Sequence, residues 1–328
     1  NVEDKTENEI TVEFTPERPD LFGIEGLARA IKQLLGMQSG LKKYKISTAG
    51  LQIKAMHLPY RPYIAAAVIR NVPMNDAFIK SLMNVQEVLA DTIGRKRKKV
   101  AIGIHDFDKI LPNINYVEVN PTEKIIPLDS NEEMTLAQVL ERAPKGKEYG
   151  HILSGLKKFP VYTAAKGVFS FPPIINSDRT KVTEKTKNLL VELTGTDKES
   201  TLQTLNIIVT NFAERGCAIE AVKIFYGEKS EITPDLNPTF MDIEIDEINK
   251  LLGLELKKNE IIESLNRVGY DVTENKDALR VFIPAYRTDI LHKVDLIEDV
   301  AIGYGFNKFS PQLPHIATIG KLHTIEKL

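Results

Sequence analysis

Two short runs constrain the fold of this 328-residue chain most strongly. Residues 64–70 read IAAAVIR, which is typical of a strand buried on both faces, and residues 188–194, NLLVELT, indicate a strand that leads directly into a helix. The other elements predicted nearby are strands at 100–104, 115–119 and 219–226, a helix capped by Asn75 and a helix at 136–142. Residues 53–235 therefore predict an α+β domain with a largely antiparallel sheet.

The chain on either side of this domain has different patterns. Residues 1–52 alternate as a strand at first and then carry a helix with apolar positions at helical spacing, namely Leu27, Ile31, Leu34 and Leu35. After Pro238, a strand at MDIEI precedes helices at 247–252 and 260–268 and a strand pair over YDVTE and ALRVFIP. We therefore expect a separate domain of helices and a β-wing at 236–312, with 313–328 as the linker to a further domain.

Charge and composition limit the classes of protein to consider. The formal net charge of -2 and the pI of about 6.4 give no global attraction for nucleic acid, so any RNA contact must come from a local patch. The single cysteine, Cys217, excludes an internal disulfide and is expected to fill a core. With no run of about 18 apolar residues and no signal-peptide pattern, we expect a cytoplasmic protein that does not cross a membrane. Because the chain opens at Asn1, we expect a fragment.

The junction VELTGTD, residues 191–197, is the first candidate site. A helix start exposes unpaired backbone N–H groups that can hold a carbonyl oxygen or an oxyanion. Gly195 allows close approach to the backbone, Thr194 supplies a hydroxyl and Glu192 a carboxylate. The alternative is an ordinary capped turn, with Thr196 and Glu199 as a capping box.

The segment FSFPPIINSDRT, residues 169–180, is the second candidate. Its two prolines fix an extended path, and hydrogen-bonding side chains follow from Asn176 to Arg179. Such a rigid loop can form the wall of a pocket. It can equally be a proline-stiffened loop before a helix at Thr183.

Four carboxylates near residue 295 form the third candidate. On a helix over 293–303, Asp295, Glu298 and Asp299 share one face, and Asp289 lies just ahead of it. Like charges at this spacing repel each other unless a cation offsets them, and an all-oxygen site suits Mg2+. The alternative is a solvated acidic face.

Two further clusters are weaker candidates. The segment HDFDKI brings His105 close to two carboxylates, yet a single histidine makes a poor metal site. The basic run at residues 95–99 can contact RNA phosphates or form a solvated face.

Four blocks of this sequence resemble one family. PAYRTDILHKVDLIEDVAIGYGF at 284–306 is similar to the YRTDILHxxDLIEDxAxxYGY signature of phenylalanyl-tRNA synthetase beta subunits of the archaeal and eukaryotic type. The other blocks are ERPDLFGIEGLARAIK at 17–32, KKVAIGIHDFDKI at 98–110, and FSFPPIINSDRT with VELTGTD at 169–197. The resemblance implies an editing domain at 53–235 and a winged-helix-like domain at 236–312.

The resemblance also implies functions for the candidate sites. In the family, the beta subunit hydrolyses tyrosine wrongly attached to phenylalanine tRNA. By matching positions, Glu192 and Thr194 would act in that reaction, with the pocket residues Val161, Ser170, Asn176 and Gly195. Glu192 would accept the tyrosine hydroxyl and Thr194 would orient a water. Glu192 and Val161 stand where Asp and Leu are frequent in the family, so the resemblance implies a pocket of different size.

The resemblance implies partners as well. The carboxylates Asp289, Asp295, Glu298 and Asp299 match those that hold Mg2+ at the contact with the alpha subunit. That subunit carries out the ATP-dependent attachment of phenylalanine, within a heterotetramer of two alpha and two beta subunits that binds tRNA(Phe). The alternative function is a non-catalytic module that binds nucleic acid or a protein partner.

Overall fold

The computed structural model describes residues 2–7, 10–275, 278–311 and 320. The chain begins with an antiparallel hairpin of β1 (Val2–Lys5) and β2 (Ile10–Val12), which precedes helix α1 (Ile24–Leu34). Within the described ranges, no helix is long and apolar enough to cross a membrane.

A ten-stranded sheet forms the centre of the molecule. The elements of this part are β3 (Ile46–Ala55), β4 (Tyr63–Arg70), α2 (Asp76–Asp91), β5 (Val100–Asp106), β6 (Ile114–Val119), β7 (Lys124–Ile125), β8 (Met134–Thr135), α3 (Leu136–Arg142), α4 (Pro144–Tyr149), β9 (Phe159–Ala164), β10 (Gly167–Phe171), β11 (Ile175–Asn176), β12 (Leu189–Gly195), α5 (Lys198–Glu214), β13 (Ala218–Tyr226) and β14 (Lys229–Thr233). The strand order is β11-β10-β9-β6-β3-β13-β4-β12-β5, with β14 beside β13, and β7 pairs with β8 separately. Strand β3 is parallel to β6 and β13, whereas the other described pairs of the sheet are antiparallel.

Strand β12 separates two apolar cores, because its side chains alternate between the faces of the sheet. Leu189, Val191 and Leu193 pack against helices α2 and α5. Leu190 packs on the opposite face, in a core that contains Tyr162. By the same alternation, Glu192 and Thr194 point away from the helices.

The C-terminal unit has its own core. It contains β15 (Thr239–Glu244), α6 (Ile245–Leu252), α7 (Lys258–Arg267), β16 (Asp271–Asn275), β17 (Ala278–Ile283) and α8 (Lys293–Tyr304). The three strands form an antiparallel sheet in the order β15-β17-β16. Side chains of the helices and the sheet meet in one cluster around Leu265, Leu279 and Leu296.

The mixed α+β class and the main elements are confirmed. The predicted strands at 64–70 and 188–194 are β4 and β12, and the helix at 136–142 is α3. Asn75 caps α2 by accepting a hydrogen bond from the Phe78 amide at 2.8 Å. The helices and the strand pair predicted after Pro238 are present as α6, α7, β16 and β17.

Two local predictions are wrong, and one predicted boundary lies inside a strand. The Thr196 amide donates to the Lys99 carbonyl at 2.9 Å and stays outside helix α5, so Asp197 is the cap instead. No helix begins at Thr183, and residues 181–188 form irregular loop structure. The domain boundary predicted at residues 52–53 falls inside β3, where these residues pair with β13.

Helix α1 packs with its polar side inward. Its buried residues include Glu25, Arg29 and Gln33. The apolar residues predicted from helical spacing include Ile31 and Leu35, and they are 45% and 70% exposed. The spacing therefore identifies the helix correctly, whereas the packed side is decided by polar partners.

Arg29 is the centre of those polar contacts. Its guanidinium stacks 3.6 Å from the ring centroid of Tyr286, which follows β17. It also lies 3.5 Å from the Asp20 carboxylate, 3.3 Å from the Tyr44 hydroxyl and 3.9 Å from the Glu214 carboxylate at the end of α5. Arg29 thereby joins the N-terminal segment, the central sheet domain and the C-terminal unit.

We expect Arg29→Met to destabilise the chain by about 1–3 kcal/mol, because Asp20 and Glu214 lose a buried cation and Tyr286 loses its stacking partner, while Arg18 and Lys42 remain paired with the carboxylates. Ile31→Gln on the exposed side of the same helix should change the free energy of unfolding by less than about 0.5 kcal/mol. Urea denaturation of both variants measures the difference. Similar effects of the two substitutions would contradict the packing described for α1.

Burial raises the pKa of the Cys217 thiol to about 11. Because the unfolded chain loses this proton at a lower pH, stability should fall as pH rises from about 9 toward 11. We expect Cys217→Ala to remove that part of the alkaline pH dependence. Equilibrium unfolding of both proteins across this pH range is the measurement, and an unchanged slope would contradict the assignment.

Candidate functional site

A cavity of about 490 Å³ opens beside the polar end of β12. Its walls are helix α2, strand β5, the turn at 127–130, the junction of α3 with α4, and residues 170–176. Of the residues predicted for the site, Glu192, Ser170 and Asn176 line it. A volume in this range is typical of pockets that bind small molecules.

Glu192 is the charged group buried in the wall of this cavity. Its side chain is 1% exposed, and its Oε1 accepts a hydrogen bond from the Ser170 hydroxyl at 2.7 Å. Its Oε2 has no hydrogen-bond partner among the described residues. A buried carboxylate oxygen without a partner is costly, so this atom can accept a donor from a ligand.

The proline-rich segment forms one wall, as predicted. Arg97 braces it from outside by donating to the carbonyl oxygens of Pro173 and Ile174, at 3.4 and 2.9 Å, while its guanidinium stacks 4.2 Å from the Tyr149 ring centroid. Asn176 donates to the Ile104 carbonyl at 3.3 Å. These contacts fix the loop against β5 and helix α4, so the wall is rigid.

Cations lie around this cavity. Arg97, Arg142 and Lys145 line it, and Arg142 is exposed. Of the predicted basic run, Arg95 and Lys96 remain exposed, whereas Arg97 joins the cavity wall. Glu87 lines the same cavity, 3.5 Å from Arg97 and 3.7 Å from Lys145, so these two cations are partly neutralised.

Three predicted pocket residues do not line the cavity. The Thr194 hydroxyl accepts from Nε of the buried Arg61 at 2.7 Å, and its carbonyl accepts from Nη2 at 2.8 Å. A Cβ on Gly195 would lie 2.0 Å from the Thr201 hydroxyl oxygen, so this glycine permits close packing of α5. Val161 is fully buried in an apolar core. The helix tip is therefore not part of this cavity.

The guanidinium of Arg61 bridges strand β12 and the basic turn. Besides Thr194, it donates to the carbonyl oxygens of Arg97 and Lys98, at 3.2 and 3.4 Å. Burial lowers the pKa of Arg61, an effect that Tyr116 and Glu192 oppose. Thr194 therefore stabilises the strand and turn beneath the cavity.

Three of the four predicted metal ligands are engaged by other groups of this chain. Arg287 donates to Asp289 at 2.8 and 2.6 Å and to Asp299 at 2.7 Å, and Tyr270 also donates to Asp299. Asp295 accepts from the backbone amides that precede α8, at 2.8 and 2.7 Å. Across the described ranges, no group of three or more His, Cys, Asp or Glu side chains could hold a metal ion. Asp289, Asp295 and Asp299 do not fit Mg2+ as placed here, because they already pair with Arg287 or with backbone amides, whereas Glu298 is exposed on α8.

His105 and Gly103 belong to the site, although sequence reasoning assigned them no part in the pocket. His105 is fully buried, with Nε2 3.5 Å from Oε1 of Glu192. Gly103 pairs directly with Glu192 across the two strands. In the sequence, HDFDKI indicated either a metal site or a structural part of the fold. Only the pairing of β5 with β12 shows that His105 faces Glu192.

A larger cavity, of about 630 Å³, lies between the central domain and the C-terminal unit. Its wall includes Tyr44, Tyr286 and several prolines, and the carboxylate in that wall, Asp235, is exposed. It therefore lacks the buried, incompletely paired charge found at Glu192.

Comparison with known proteins agrees with the architecture. Residues 76–227 match the B3/4 domain, and residues 241–306 match the tRNA synthetase B5 domain. The phenylalanine--tRNA ligase beta subunits of Archaeoglobus fulgidus and Methanococcus aeolicus are 42% and 45% identical over 326 residues. Each alignment covers 98% of this chain and 59% of the relative, so the chain spans about three fifths of their length.

A solved structure gives the same result. An N-terminal fragment of the phenylalanyl-tRNA synthetase beta-subunit from Pyrococcus horikoshii matches with a TM-score of 0.89 and 39% identity. The match covers 92% of this chain and 90% of that fragment. Identity at this level over nearly the whole solved fragment shows that the chain belongs to the phenylalanyl-tRNA synthetase beta-subunit family.

Proposed function

We propose that this chain carries an editing pocket that hydrolyses tyrosine wrongly attached to phenylalanine tRNA. The observation that supports this most is Glu192, a buried carboxylate in a cavity wall with one oxygen paired to Ser170 and the other unpaired. The phenol hydroxyl of tyrosine would donate to that second oxygen. The rest of the side chain would lie against the apolar wall around Phe171 and Ile174.

Discrimination against phenylalanine follows from the same carboxylate. Phenylalanine offers no donor, so its binding would leave the buried oxygen unpaired, at a cost of about 1–3 kcal/mol or more. A site built to hydrogen-bond a hydroxyl can reject the analogue that lacks it by about 10⁴–10⁵. The pocket would therefore protect correctly charged tRNA.

Hydrolysis would proceed by attack of a positioned water. The Ser170 hydroxyl donates to Glu192, and His105 faces the same carboxylate, so the three residues lack the serine-to-histidine contact that a covalent mechanism requires. Asn176, whose amide lies in the cavity wall, is our candidate for orienting the water. The nearby cations would attract the phosphates of the tRNA end.

The wider assembly is also a proposal. The chain would act with an alpha subunit that attaches phenylalanine to tRNA(Phe) in an ATP-dependent reaction, as two alpha and two beta subunits in the cytoplasm. No step of the editing reaction is assigned to Mg2+, because Asp289, Asp295 and Asp299 are engaged elsewhere.

We expect Glu192→Ala to reduce hydrolysis of tyrosine-charged tRNA(Phe) by at least about 100-fold, because the hydroxyl loses its acceptor. Deacylation should be measured with tyrosine-charged and phenylalanine-charged tRNA(Phe), using both this chain and the chain assembled with an alpha subunit. Full activity of the variant would contradict the role of Glu192. If the unaltered protein hydrolyses neither tRNA, the alternative of a non-catalytic binding module is favoured.

Thr194→Val provides a matched contrast on the same strand. It leaves Arg61 with an unpaired buried donor, so we expect a loss of about 1–3 kcal/mol in the free energy of unfolding. Its effect on the deacylation rate should be much smaller than that of Glu192→Ala. A stable Thr194→Val variant that lacks deacylation activity would instead show that Thr194 takes part in the reaction.

Magnesium should not stabilise this chain. A ligand that binds only the native state raises the melting temperature, so millimolar MgCl2 and EDTA should give the same melting temperature. Asp295→Ala should nevertheless lower stability by about 0.5–2 kcal/mol, because it removes the carboxylate that accepts the Leu291 and His292 amides at the start of α8. A clear increase in melting temperature with magnesium that Asp295→Ala abolishes would show that the metal site exists.

A further inference from the structure

The contact between His105 and Glu192 has no assigned role in the reaction proposed above. On β5, Gly103 lies opposite Glu192, and His105 is two residues farther along the same strand. Diagonal neighbours on one face of a sheet are within reach of long side chains. The imidazole and the carboxylate therefore meet beneath the cavity, with 3.5 Å between Nε2 and Oε1.

Gly103 leaves the space in which these two side chains meet. A Cβ added there would lie 2.1 Å from Oε1 of Glu192 and 2.9 Å from Nε2 of His105. Both distances are shorter than real Cβ contacts, so any side chain would displace the carboxylate or the ring. The position opposite Glu192 thus has to lack a side chain for the contact to form.

The hydroxyl of Thr180 is linked to the choice of the ring nitrogen of His105 that carries hydrogen. The Thr180 hydroxyl lies 2.9 Å from Nδ1 and 3.2 Å from the Ser177 carbonyl oxygen. A hydroxyl has a single hydrogen. If that hydrogen goes to Nδ1, a neutral imidazole carries its own hydrogen on Nε2, which faces Glu192; if it goes to the Ser177 carbonyl, Nδ1 carries the hydrogen instead. Phe169 packs edge-on against the ring, with centroids 5.0 Å apart, and limits its rotation.

We propose that His105 is a positioning residue that holds Oε1 of Glu192 so that Oε2 is left for the tyrosine hydroxyl. Nε2 has no hydrogen-bond partner among the described residues, and its nearest charged neighbour is this carboxylate. At 3.5 Å the contact is loose, as hydrogen bonds in ligand-free sites often are, and it tightens when the phenol binds. The inference rests on the proposed editing function and names the residue that orients its acceptor.

Replacing His105 by glutamine or by asparagine distinguishes a role in positioning Glu192 from a role in packing alone. Glutamine places its amide nitrogen near the position of Nε2, whereas asparagine ends near Nδ1 and does not reach Glu192. We expect His105→Gln to keep kcat/KM for tyrosine-charged tRNA(Phe) within about threefold of the unaltered protein, and His105→Asn to lose about 10- to 100-fold. Both variants bury a neutral amide, and their melting temperatures serve as the control for folding. Equal losses in the two variants, or no loss in either, would overturn the proposal.

Nitrogen NMR of the unaltered chain gives a second test, which depends neither on the variants nor on hydrolysis. Long-range imidazole spectra report which ring nitrogen carries hydrogen, and we expect a hydrogen on Nε2 of His105. A bare Nε2 would overturn the positioning role even if the chain deacylates tyrosine. A hydrogen on Nε2 in a chain that hydrolyses neither tRNA would support the positioning of Glu192 and overturn the editing function alone.

Discussion

Buried arginines that neutralise buried carboxylates hold the three parts of this molecule together. Arg29 contacts Asp20, Glu214 and Tyr286, which belong to the N-terminal segment, the central domain and the start of the C-terminal signature. Burial by itself raises the pKa of Asp20, but the hydrogen bond and the charge of Arg18 outweigh it and lower that pKa. Charges taken out of water are tolerated only when they are paired in this way, so the relative placement of the parts depends on these contacts.

The candidate site also contains buried charged groups, but the pairing of Glu192 is incomplete. Arg61 is matched by carbonyl and hydroxyl acceptors on β12 and the basic turn. Glu192 lies on the same face of β12 as Thr194. Its Oε1 accepts a hydrogen bond from Ser170, and its Oε2 has no partner among the described residues. The sheet thus pairs Arg61 with Thr194 and leaves Oε2 of Glu192 without a partner, and recognition of a hydroxyl requires such an acceptor.

Sequence reasoning succeeded where the signal was local. Strands β4 and β12 and helix α3 follow from composition and periodicity, and the proline-braced wall follows from backbone restriction. It failed where the outcome depended on tertiary contacts. The pairing of Arg287 with Asp299 was not foreseen, although both lie in one motif, because periodicity does not show which partner a side chain meets. The cap at Asp197 was missed because pairing with Lys99 holds Thr196 outside the helix.

The sequence alone determined the α+β class, the order of most elements and, through four motif blocks, the family. Glu192, Ser170 and Asn176 could also be named from the sequence, because their matching motifs are short and continuous. Only the tertiary structure decided that Thr194 supports Arg61, that helix α1 buries its polar side, and that His105 faces Glu192. The reason is that hydrogen bonds and ion pairs across strands join residues far apart in the chain, and helical or strand periodicity does not reveal which partner each side chain will meet.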